Sequence, residues 1–184
     1  MAARQTLLVA GIVAALITPR ESSAQRFGTE EGHAAFTSRV PLHTFTGKSD
    51  QLVGQINLAD STVDFYVDLT TLESGIGKRD KDMRRTLETD EFPFAEFYGK
   101  LVTPLDLDRQ TRQEVTVRGA FTIHGVARDV EIEGSITPQP EGLRVVASWN
   151  LNLIDHDIVP PKLLIVKVDE IQALRIDAIL TPIP

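Results

Sequence analysis

The stretch VTVRGAFTIHGVARDVEIEG, Val115 to Gly134, decides the fold. Val115, Val117, Gly119, Phe121 and Ile123 alternate with Thr116, Arg118, Ala120 and Thr122, the period of two that gives a strand one dry and one wet face. After HGVAR the alternation resumes from Val130 to Ile136, and Gly125 in that gap is the residue best suited to a left-handed turn conformation. The stretch therefore reads as a hairpin with His124 at its tip. With no cysteine, serine motif or second histidine near it in sequence, His124 reads as a turn or hydrogen-bonding residue rather than a catalytic base.

Working outward, the same period recurs in STVDFYVDL through Val63, Phe65, Val67 and Leu69. It recurs in LRVVASWNL through Leu143, Val145, Ala147, Trp149 and Leu151, and in ALRIDAIL through Leu174, Ile176, Ala178 and Leu180. Weaker strands read from Ala34 to Val40, Leu52 to Leu58, Phe97 to Val102 and Leu163 to Val168. Many short antiparallel strands separated by turn residues predict an all-β sandwich or barrel. One segment departs from this period. RDKDMRRTLE spaces Met83 and Leu87 four apart, with Asp80 and Asp82 early and Arg84 and Arg85 late, which predicts one short helix with charges suited to its dipole. Directly after it, Phe92, Phe94 and Phe97 gather three of the chain's eight phenylalanines around Pro93.

The N-terminus carries Arg4, an apolar run of 11 residues from Leu7 to Ile17, and then Ser22-Ser23-Ala24, the pattern of a secretory signal peptide over residues 1–24. That run is well short of the roughly 20 residues that span a bilayer. Removal of 24 of the 184 residues leaves 160, a single domain over residues 25–184 that buries about 70% of its unfolded surface. The formal charge is −7. Arg4, Arg20 and Glu21 in the leader contribute +1 to it, so the remainder carries −8 and is a poor partner for nucleic acid or anionic membrane surfaces. The lack of cysteine excludes disulfides, thiol catalysis and thiolate metal sites.

His33, His43 and His156 lack the spacings that bring two imidazoles onto one metal. Asp155, His156 and Asp157 are the sharpest metal-like cluster, yet in a strand the carboxylates point away from the imidazole, so the three converge only in a turn. G-x-S-x-G, phosphate-binding glycine loops and HExxH are all absent. No catalytic, metal or covalent-cofactor residue is assigned. The inward-facing set is apolar, so any cavity would hold a greasy ligand. The same pattern also describes a dry, filled core.

Three blocks resemble the secreted YceI-like family, whose members are lipocalin-like lipid or polyisoprenoid binders. GHAAFTSRVPLHTFTGKSDQLVGQINL is similar to its first strands, with Phe45 to Gly47 as a Phe-x-Gly element. Arg79, Asp80, Met83, Pro93 and Phe97 resemble its Arg-Asp-x-x-Met helix and proline-aromatic strand, and Gly119, Thr122, His124 and Gly125 its Gly-x-x-Thr-x-His-Gly hairpin. The likeness runs from about Gly32 to Leu180; the closing third carries Asp155, His156, Asp157 and Pro160-Pro161 where many members have an Arg-Asp-Phe-Gly type segment. The resemblance implies an extended antiparallel β-barrel of about eight strands, one short helix near its mouth and an elongated apolar tunnel. It also implies an exported, non-enzymatic carrier, periplasmic or secreted, for a polyisoprenoid, quinone-like or fatty lipid.

On that reading Phe92, Phe94 and Phe97 with Met83 and Leu87 form the tunnel mouth, and Phe36, Phe65, Phe121 and Trp149 its walls. The expected partners are a hydrophobic small molecule and, at most, a second copy in a homodimer, with no integral membrane segment once the leader is cleaved. The alternatives are a dry barrel serving an envelope or membrane redox partner, or a metal-assisted enzyme built on Asp155, His156 and Asp157.

Overall fold

The computed structural model describes residues 26–40, 43–160, 162–163 and 166–184; the expected leader lies outside the described residues. The strands are β1 (Arg26–Val40), β2 (His43–Asn57), β3 (Thr62–Asp68), β4 (Phe94–Leu101), β5 (Gln113–Ile123), β6 (Val126–Gln139), β7 (Gly142–Asn152), β8 (Lys162–Leu163), β9 (Val166–Lys167) and β10 (Ile171–Pro182). Eight of them close an antiparallel barrel in the order β1-β10-β7-β6-β5-β4-β3-β2, and β2 returns to β1. This is the all-β barrel expected from the sequence.

Alternation decides what faces inward. In β3 Val63, Phe65 and Val67 are buried, while Thr62, Asp64, Tyr66 and Asp68 are not. The β5–β6 hairpin turns on two residues, His124 at φ 55° and Gly125 at φ 70°, the positive pair that suits the right-handed twist of two-residue hairpins. Strand β6 therefore starts at Val126, four residues before the expected start at Val130. Strands β1 and β2 are 15 residues each, longer than expected, because register shifts between Thr29, Gly32 and Ala34 break the alternation without ending the pairing.

The strand expected over Leu163 to Val168 is corrected to two two-residue strands, β8 and β9, which among the described residues pair with each other and not with the barrel. The pairing of β7 with β10 has already closed the barrel, so no edge remains for that segment.

The helix α1 (Gly77–Thr86) begins two residues before the expected Arg79. Its N-cap, Ile76, offers no side-chain acceptor. The Asp80 carboxylate instead accepts from the Ser74 backbone N–H (2.8 Å) and hydroxyl (2.5 Å), which holds its pKa below the ordinary 3.8. Two backbone bonds of 2.9 Å between Lys48 and Glu73 strap the approach to α1 along β2.

The outer face carries ion pairs such as Arg118–Glu131 and Arg144–Asp177, the inverse of a membrane-spanning barrel, whose outer band is apolar. No helix among the described residues is long and apolar enough to cross a membrane.

Candidate functional site: a blind apolar cavity

The barrel is filled at one end and hollow for the rest of its length. Phe27, Leu143, Ala178 and Leu180, 7%, 1%, 3% and 0% exposed, pack the end where Arg26 and Pro184 lie and take no part in the cavity wall. Above them is a cavity of about 710 Å³, bounded by inward residues of the strands and by α1. Native cores contain few voids larger than a water molecule, so this volume is not loose packing; it lies in the range of ligand sites. Exposed Ile76, Lys78 and Arg85 in its wall mark where it meets solvent, beside α1.

Aromatic residues line the cavity without crossing it, and two cross-strand glycines explain why. Phe65 pairs with Gly54, and Phe36 with Gly47. A Cβ on Gly54 would lie 2.0 Å from Phe65 Cδ1, and one on Gly47 would lie 2.3 Å from Phe36 Cε1. Each ring thus occupies its partner's missing side-chain space and lies against the wall. Trp149 stacks edge-on against Phe121, with centroids 5.8 Å apart.

The structure brings together Phe36, Phe65, Met83, Leu87, Phe97, Phe121 and Trp149 in the cavity wall. It does not bring Phe92 or Phe94 there. Phe94 is 42% exposed on the outer face and packs edge-on against Tyr66, with centroids 5.6 Å apart. Phe94 and Phe97 are three apart in β4, so the pleat sends them to opposite faces. Phe92 lies in the turn before β4, its ring 4.9 Å from that of His124. The expected aromatic mouth is therefore split, and α1 supplies the rim.

Both histidines that drew attention in the sequence tie loops together. The His124 Nδ1–H faces the His156 carbonyl (3.2 Å), and its Nε2 faces Glu88 Oε2 (3.1 Å). His156, 2% exposed, donates from Nδ1 to the Val126 carbonyl (2.8 Å) and meets Phe121 edge-on. Asp155, His156 and Asp157 do sit in a turn, at the end of a 3-10 segment over Leu153–His156, but the imidazole points inward and both carboxylate residues are exposed. No group of three or more His, Cys, Asp or Glu among the described residues is placed to hold a metal.

Sequence reasoning missed the polar residues of the wall. Ser38, 0% exposed, and Gln172, 4% exposed, face each other across β1 and β10. Ser38 Oγ and Trp149 Nε1 are buried without a hydrogen-bond partner. A polar residue at an inward position breaks the alternation and reads as a weaker strand, so the signal was present but ambiguous.

The model of the YceI-like domain matches residues 18–178. The chain belongs to the YceI-like family. Its residues are 27% identical to a UPF0312 protein of Vibrio parahaemolyticus over 173 residues, 84% of this chain and 89% of the relative. Among solved structures, a polyisoprenoid binding domain from Saccharophagus degradans, described as implicated in plant cell wall breakdown, superposes with a TM-score of 0.71 at 16% identity. That match covers 87% of this chain and 99% of the neighbour. BcnA of Burkholderia cenocepacia gives 0.63 at 12% identity over 80% and 96% of the two chains. At these identities the structural likeness speaks for the fold; the family match speaks for kinship. In this YceI-like barrel the hairpin histidine serves as a tie between loops, in keeping with the structural role read from its position.

Proposed function

We propose that this YceI-like protein is an exported carrier that buries the hydrocarbon tail of a polyisoprenoid, quinone-like or fatty lipid and performs no chemistry on it. The observation that carries the reading is the cavity of about 710 Å³, apolar through most of its depth, sealed at the end packed by Phe27 and Leu180 and open beside α1. A flexible tail gains about 25 cal/mol per Å² of apolar surface removed from water, offset by the cost of ordering it. The polyisoprenoid binding domain of Saccharophagus degradans, which shares the fold, supports this ligand class. The leader pattern over residues 1–24 supports export to the periplasm or beyond.

The test is mass spectrometry of an organic extract from protein purified after export in a lipid-producing bacterial host, beside a native spectrum of the intact complex. One long-chain lipid per chain is the expected result. A clean ligand-free mass that persists after incubation with candidate lipids would refute the carrier and favour a barrel that serves a protein partner.

A further inference from the structure

The charged residues that α1 contributes to the cavity wall gather at its mouth, and that asymmetry orients its ligand. At the α1 end the wall includes Lys78, Arg79 and Arg85 against a single carboxylate, Asp82, which is ion-paired to Arg85 at 2.7 Å. In a chain of net charge −7 this is a local inversion of sign. Arg79 is the central cation. Its guanidinium lies 4.6 Å from the centroid of Phe45, itself part of the wall. Among the described residues nothing accepts a hydrogen bond from it; the adjacent Asp80 accepts from Ser74 through Oδ1 and feels the Arg79 charge without a hydrogen bond to it. Beside Phe45 in the strand register lies Ser38, whose buried hydroxyl also lacks a partner and can be re-aimed by one χ1 rotation.

A half-buried guanidinium with five free N–H donors, stacked on an aromatic ring at the mouth of an apolar tunnel, suits a planar or tetrahedral oxyanion. Deeper in the tunnel Ile56 and Ile136 line the wall, an environment that rejects charge and accepts hydrocarbon. We infer that Arg79 is the headgroup-binding residue of this cavity, and that it selects lipids ending in a phosphate or carboxylate, held head-outward with the tail directed at the sealed end. This inference rests on the carrier reading.

The test compares two probes that share one tail, geranylgeranyl diphosphate and geranylgeraniol, with inorganic pyrophosphate as a third. Binding to delipidated protein is followed by calorimetry. Wild type is expected to hold the diphosphate roughly 10- to 100-fold tighter than the alcohol, the range for hydrogen bonds to a charged group. Pyrophosphate alone should not bind measurably, which separates a lipid headgroup from a free-anion site. Arg79→Gln should bring the diphosphate down to the alcohol's affinity, and Arg79→Lys should restore part of the difference. Arg84→Gln removes the same charge from the same helix at a residue outside the cavity wall, and should leave the preference intact.

Equal affinities for the two lipids in wild type, or a preference that survives Arg79→Gln, would overturn the inference while leaving the carrier in place. Tight binding of pyrophosphate by itself would overturn the lipid-headgroup assignment. Failure of both lipids to bind would overturn the carrier reading and this inference with it.

Discussion

Placing a methyl group on Gly54 tests whether the barrel is hollow because its rings lie on glycines. In Gly54→Ala the new Cβ would stand 2.0, 2.3 and 2.6 Å from Cδ1, Cε1 and Cγ of Phe65, the residue paired with it across β2 and β3. To regain an ordinary contact of 3.4 Å the ring must retreat by about 1.4 Å, far beyond what side-chain breathing absorbs. It can part the two strands or swing into the lumen. Parting them costs ladder hydrogen bonds, whereas the cavity of delipidated protein has room for the ring, so the ring moves inward. Overpacking a filled core costs about 1–3 kcal/mol; here the cavity receives the ring, so ligand-free protein should lose only about 1 kcal/mol.

The larger penalty falls on binding, because the displaced ring occupies space a lipid tail needs. Urea unfolding of delipidated protein measures the first effect, and native mass spectrometry against isoprenoid alcohols of increasing length measures the second. The variant should accept only shorter tails, and adding Phe65→Leu should restore part of the lost length. An unchanged length limit, together with a stability loss above about 3 kcal/mol, would refute the reasoning, because the strands and not the ring would then have yielded.

Three further outcomes are expected. Phe94→Asp, on the outer face beside Tyr66, should leave lipid content unchanged in extracts, and loss of lipid from folded variant would return Phe94 to the mouth. Asp80→Ala should cost about 1 kcal/mol at neutral pH by thermal unfolding, because two donors of Ser74 lose their acceptor. Its folded pKa lies below 3.8, so its contribution is present above that pH and lost as the pH falls through the folded value; the gap between wild type and variant should close on acidification, and a gap constant down to acid unfolding would count against the role of the charge. His156→Ala should cost about 2–4 kcal/mol in urea by removing a buried ring and its bond to the Val126 carbonyl, with elemental analysis showing no change in bound metal. Loss of a stoichiometric metal on that substitution would revive a centre built on Asp155, His156 and Asp157.

The fold was legible where the alternation is unbroken. Val63 to Leu69 and Val115 to Ile123 announce inward and outward faces without help, and the His124-Gly125 turn follows from a glycine between two alternating runs. The bulges around Gly32 hid the true length of β1, since each shift exchanges the faces and the pattern looks spent. Phe94 was misplaced although the sequence held the correction: a spacing of three from Phe97 cannot keep two residues on one face of a strand.

What the sequence could not show is the hollowness itself, because that depends on pairs distant in the chain. A period-two pattern rich in Val, Leu, Ile and Phe describes a packed barrel and an empty one equally well. The difference lies in which residue stands opposite each ring. Gly47 opposite Phe36 and Gly54 opposite Phe65 hold two aromatics against the wall, and in linear sequence each glycine stands 11 residues from its ring, with nothing to mark the pairing. The same argument applies to the rim. Arg79 reads as a motif residue of a short helix, without a ligand role, until the fold lays it over Phe45 in the cavity wall. The sequence supplies the chemical groups, and strand register decides which of them are left facing an empty space with bonds still to make.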